Sequence, residues 1–184
     1  MLRVVGSLAA CVVALALASC DHGTPPAAEQ MSSMGLPAES ALQVNEETVV
    51  TVRMAGEAPE LLIFTPNRFG GDEMYAWPAA SGAPGGLQVG NGFSLGIYNE
   101  DRDEYDPGFC YVFGAGQGPI EDVTVDDPAA RSQVVNPEIG GWVIVMSEDE
   151  GVGELNWQLI GSAGDVIHDG RGFPGRSYMC ANAG

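Results

Sequence analysis

Leu155-Asn156-Trp157-Gln158-Leu159 sets apolar against polar side chains at every step, and that period of two decides the fold. Successive side chains of an extended strand point to opposite faces, so such a stretch lays one face on a core and leaves the other wet. The same alternation recurs towards the N-terminus. Val50, Val52 and Met54 alternate with Thr51 and Arg53; Phe93, Leu95 and Ile97 with Ser94 and Gly96; Val123 and Val125 with Asp122, Thr124 and Asp126. Residues 61–64, 109–113 and 142–146 are instead unbroken apolar runs of strand length, which suit central strands covered on both faces. After position 45 no stretch carries apolar residues at helical spacing for three turns.

About nine short strands with Gly- and Pro-rich connections predict an all-β chain, an antiparallel β-sandwich with a small β-barrel as the alternative. Asn91-Gly92 and Asp169-Gly170 read as hairpin turns, and residues 148–153 and 161–164 carry turn residues between apolar runs. Residues 74–92, interrupted by prolines and glycines, read as a long surface loop. Trp142 and Trp157 fall among core residues and are expected to pack inside. No repeat occurs at a fixed period.

The N-terminus follows other rules. A lone Arg3 precedes an apolar or small run over residues 4–18, which closes on Leu17-Ala18-Ser19-Cys20. The run is shorter than the roughly 20 residues that cross about 30 Å of hydrocarbon, and its length suits the apolar region of a secretory signal. Ala16-Leu17-Ala18 alone would serve an ordinary signal peptidase. With the cysteine in place, the segment resembles the lipobox of bacterial lipoproteins. That resemblance implies a signal peptide over 1–19, cleavage before Cys20 and a diacylglyceryl thioether on its sulfur. It also implies an anchor on the extracytoplasmic face of the cell membrane. Each buried methylene contributes about 0.8 kcal/mol, and two chains together hold stably. Asp21 is similar to the inner-membrane retention signal of two-membrane bacteria, which places the chain on the periplasmic side there. Residues 20–42, with Thr24-Pro25-Pro26-Ala27-Ala28 and no sustained period, read as the lipidated cysteine and a flexible tether spanning about 25 Å. Residues 43–184 are then the β-sandwich domain, within the usual size of one core.

Composition narrows the function. The formal charge is −18, the chain has no lysine, and six arginines against 25 carboxylates follow position 20, leaving −19. Such a surface repels phosphate backbones, which sets nucleic acid aside, and without lysine there is no Schiff-base chemistry. Acidity of this kind also fits the solvation of a surface in salty surroundings. Of four cysteines, Cys11 leaves with the signal and Cys20 takes the lipid. Cys110 and Cys180 remain, and two cysteines in an exported domain most simply form one disulfide, worth roughly 4 kcal/mol in the chain-entropy view.

Three constellations bear on chemistry. Gly92-Phe93-Ser94-Leu95-Gly96 matches the nucleophile elbow G-x-S-x-G, with His168 downstream, but the elbow needs a strand before the serine and a helix after it. Here a strand pattern continues through Ile97, so Ser94 reads as an outward strand residue and His168 as a solvated residue beside a turn. Glu100-Asp101-Arg102-Asp103-Glu104-Tyr105-Asp106 packs five carboxylates into seven positions. Asp101, Asp103 and Asp106 are candidate ligands for a structural Ca²⁺, because hard cations take several oxygens; the alternative is a solvated acidic hairpin tip. Tyr75 and Trp77 are candidates to line a ligand groove, as in carbohydrate readers. The expectation is a membrane-anchored, non-catalytic binding or structural module of the cell envelope with an envelope protein or glycan partner. An envelope hydrolase and a calcium-stabilised adhesion or assembly subunit are the alternatives.

Overall fold

The computed structural model describes residues 26–46, 48–66, 72–79, 87–94, 96–99, 103–106, 108–116, 118–147 and 155–171. Cys20, Asp101 and Cys180 lie outside them, as do the signal-peptide stretch and residues 148–153. One α-helix and thirteen strands occur among the described residues. In chain order they are α1 (Ala27–Ser33), β1 (Leu42–Gln43), β2 (Val49–Ala55), β3 (Ala58–Pro66), β4 (Asp72–Pro78), β5 (Gln88–Ser94), β6 (Ile97–Asn99) and β7 (Glu104–Asp106). There follow β8 (Phe109–Ala115), β9 (Ile120–Val125), β10 (Arg131–Asn136), β11 (Gly141–Ser147), β12 (Asn156–Gly161) and β13 (Val166–Arg171).

All strand pairs are antiparallel. They build a helix-covered sheet in the order β1-β2-β3-β4, a middle sheet β10-β11-β8-β5, an outer sheet β13-β12-β9 and a separate hairpin β6-β7. Among the described residues no sheet closes into a barrel, and the chain is an all-β sandwich, here with three layers. One apolar layer joins Val50, Val52, Leu61 and Ile63 of the helix-covered sheet to Tyr111, Phe113, Val143 and Val145 of the middle sheet. A second joins Val112, Trp142, Ile144 and Met146, on the other face of the middle sheet, to Val123, Leu155, Trp157 and Leu159. Alternate residues of β8 and β11 therefore feed opposite layers, which is why both strands read as continuous apolar runs. Each large side chain so buried contributes about 1.5–3 kcal/mol.

The run over 61–64 is covered on both faces for a different reason. Leu62 and Phe64 point away from the middle sheet, and helix α1 lies over them with Met31 as its plug. The expected tether is thus overturned from residue 26 onward. Ala27-Ala28-Glu29-Gln30-Met31 consists of helix formers with an acid in the first turn. Its C-terminus closes as a Schellman motif: Leu36 N–H donates to Met31 O at 2.9 Å and Gly35 N–H to Ser32 O at 3.0 Å, with Gly35 at φ +73°. Leu36 and Met31 share one apolar cluster, as that motif favours. Thr51 Oγ1 donates to Ser40 O at 2.5 Å, and the Arg53 guanidinium, held by Glu60 at 2.7 Å, reaches Met34 Sδ at 3.6 Å. These contacts strap residues 26–41 to the sheet.

Turns differ in part from expectation. The turn expected over residues 161–164 does fall between β12 and β13, starting at the last residue of β12. Asn91-Gly92, by contrast, lies inside β5 opposite Val112 and Tyr111, and Asp169-Gly170 lies inside β13 opposite Gln158 and Trp157. Pairing with a long neighbour overrides the local turn preference in both cases. The stretch 74–92 contains the end of β4 and most of β5 rather than one loop. The alternation over Phe93–Ile97 is likewise divided between β5 and β6.

Candidate binding groove

The polar residues of the β12 alternation become a surface once the sheet forms. Register places Gln158 between Thr124 of β9 and Asp169 of β13, and Asn156 beside Arg171. Directly paired residues share a face, so these five side chains project from the outer sheet on the side away from the middle sheet. Asp126, just past the end of β9, completes the row. Together with Val125, Trp157 and Gly170 they line an open groove of about 730 Å³.

Its polar groups hold one another in place. Asn156 N–H donates to Asp126 Oδ1 at 2.9 Å and Asn156 Nδ2 to Oδ2 at 2.5 Å, while Asp126 N–H returns a bond to Asn156 O at 3.0 Å. Gln158 Nε2 donates to Asp169 Oδ1 at 2.7 Å. The bond from the Asn156 side chain, and then that from its backbone, draws the Asp126 carboxyl below its ordinary range. The groove therefore presents fixed carboxylate acceptors, an amide pair and one guanidinium, a set that suits hydroxyl- or amide-bearing ligands.

Beneath the groove the sheet is unusually tight. Trp157 stacks on Trp142 with ring centroids 4.7 Å apart and on His168 at 5.2 Å. The indole of Trp157 runs against residue 170, where any Cβ would overlap it, so only glycine fits there. Neither buried indole N–H has a hydrogen-bond partner among the described residues. His168 is a half-buried strand residue facing the core side, not the solvated turn residue expected from its neighbours.

The other candidates separate. Ser94 is half-buried at the end of β5, and its hydroxyl lies 3.1 Å from the Tyr111 hydroxyl, on the side of the middle sheet that faces the helix-covered sheet. It does not face outward as the alternation implied. His168 belongs to the sheet on the opposite side, so the middle sheet lies between the two. Burial pushes the Tyr111 phenol up to about 12, against smaller opposing effects of the Ser94 hydrogen bond and the Arg131 charge. Trp77 is half-buried and stacks on Phe93 at 4.7 Å, while Tyr75 is exposed on the same edge strand; neither lines the groove.

Of the acidic cluster, Asp101 lies outside the described residues, Asp106 is placed only as a strand position in β7, and Asp103 is exposed in a turn at φ 51°. No group of three metal-ligating side chains occurs among the described residues. Cys110 is buried in β8, opposite Phe93 and Met146, whereas Cys180 lies outside the described residues. No described helix is long and apolar enough to cross a membrane.

Sequence reading missed Asp126, Asn156, Gln158 and Arg171 as a group. Two of the four were visible as the wet half of the alternation that gave β12; what was missing was the register that sets β9 and β13 beside it. No family model matches the chain, and no curated protein or solved structure matches it either.

Proposed function

We propose that the chain is a lipid-anchored envelope protein, held by acylated Cys20 on the extracytoplasmic face of the cell membrane, whose β-sandwich serves as a non-catalytic binding module. The anchor rests on Leu17-Ala18-Ser19-Cys20 and the short apolar run before it. The observation that carries the non-catalytic reading is the separation of Ser94 from His168 by the middle sheet. A serine nucleophile needs its base within hydrogen-bond reach, and among the described residues the side-chain partner of Ser94 is the Tyr111 phenol, held protonated by burial. The groove on the outer sheet supports a polar envelope ligand, a glycan before a protein, because its donors and acceptors are already fixed.

We further propose a disulfide between Cys110 and Cys180. Cys110 stands opposite Met146, one of the residues packed towards the outer sheet, and the chain beyond Arg171 leaves from that same sheet. Exchange of Cys20→Ser tests the anchor: the protein is expected to move from the membrane fraction to the soluble one, and retention in the membrane would contradict it. Titration with envelope glycan fragments tests the groove. Amide shifts confined to residues 124–126, 156–158 and 169–171 are expected, and shifts elsewhere or turnover of the glycan would contradict the reading.

A further inference from the structure

The strap formed by residues 26–41 shortens the leash between anchor and domain, and that length limits how the domain can stand on a bilayer. The chain joins the fold at Pro26, on the outside of the helix-covered sheet, where α1 lies over Leu62 and Phe64. Only six residue steps separate Cys20 from Pro26, so even a fully extended link reaches at most about 22 Å. Stacked sheets lie about 10 Å apart and a helix adds about another 10 Å, so the outer sheet stands about 30 Å from the layer of α1. The layer order is α1, helix-covered sheet, middle sheet, outer sheet.

We infer that the anchor cannot let the outer sheet lie against the membrane: with that sheet face down, Pro26 would stand beyond the reach of its own link. The groove of Asn156, Gln158, Asp169 and Arg171 therefore cannot lie flat on the lipid and stays open to partners in the aqueous envelope. This rests on acylation of Cys20, as proposed above. A freely jointed leash of some twenty residues, the reading that sequence alone favoured, would impose no such limit, because the domain could then turn over.

The test uses the full acylated chain on vesicles carrying a nitroxide headgroup lipid. A fluorophore is attached through Gln158→Cys, and in a second protein through Thr124→Cys, both exposed positions on the outer sheet. The mass of the N-terminal peptide is measured in the same sample. Equal fluorescence with and without the nitroxide lipid is expected at both positions. Loss of fluorescence at either one, in protein whose Cys20 is acylated, would overturn the inference alone. An unacylated residue 20 in membrane-bound protein would overturn the anchoring reading and the inference with it.

Discussion

Strands β11 and β13 are of similar length and both carry β-branched residues, yet they fare differently. Six of the seven residues of β11 are buried, whereas only Gly170 of the six in β13 is. Val166 and Ile167 are about half exposed (48% and 49%), although their side chains are as apolar as Val143 and Ile144, which are fully buried. The difference is position. β11 has β10 and β8 as neighbours and a sheet over each face, while among the described residues β13 pairs with β12 alone. Burial is conferred by the layer a strand occupies, not by the apolarity of its own side chains.

Removing a side chain from the better-covered strand is the largest expected effect. Trp142→Ala should destabilise by about 3–5 kcal/mol, read by equilibrium unfolding in urea, because it empties the second core layer and strips Trp157 of its stacking partner. A loss below about 1 kcal/mol would mean that the middle sheet is not the interior of the stack. Next comes the one position where β13 behaves like a core strand. Gly170→Ala should cost about 1–3 kcal/mol, since its methyl must displace the Trp157 indole. A neutral effect there would break the argument that β13 is seated against Trp157.

A third test concerns the other core layer and its pH dependence. Burial holds Tyr111 protonated in the fold up to about 12, while the phenol of the unfolded chain ionises near its ordinary 10. The folded state thus keeps a proton that the unfolded state releases, so this contribution is fully present below pH 10 and is lost as pH rises towards 12. Tyr111→Phe should flatten the fall in thermal stability over that window. At neutral pH it should cost about 1 kcal/mol through the unpaired Ser94 hydroxyl. Parallel profiles for the two proteins would contradict the burial of the phenol. The smallest effect belongs to the exposed edge: Ile167→Ser should change stability by no more than about 0.5 kcal/mol.

The sequence disclosed what depends on local pattern. Unbroken runs at 109–113 and 142–146 announced the doubly covered strands β8 and β11, and the alternation around Trp157 announced a strand with one wet face. What depends on partners stayed hidden. Asn91-Gly92 carries the chemistry of a turn but is drawn straight by pairing with β8, and Asp169-Gly170 by pairing with β12. Helix α1 is only seven residues long, too short to show a period, and its signals were the Gly35-Leu36 cap and the apolar Met31. The groove needed three strands in register, so no single stretch contained it. A third layer was invisible for the same reason: alternation tells which residues turn inward, not how many sheets share the interior.

Native-state hydrogen exchange tests the layered architecture most directly, because amides open in proportion to local stability. The slowest exchange is predicted in β8 and β11, with β13 opening well before them and residues 26–41 protected by their packing on the helix-covered sheet. Protection in β13 equal to that in β11 would contradict a stack whose interior is the middle sheet.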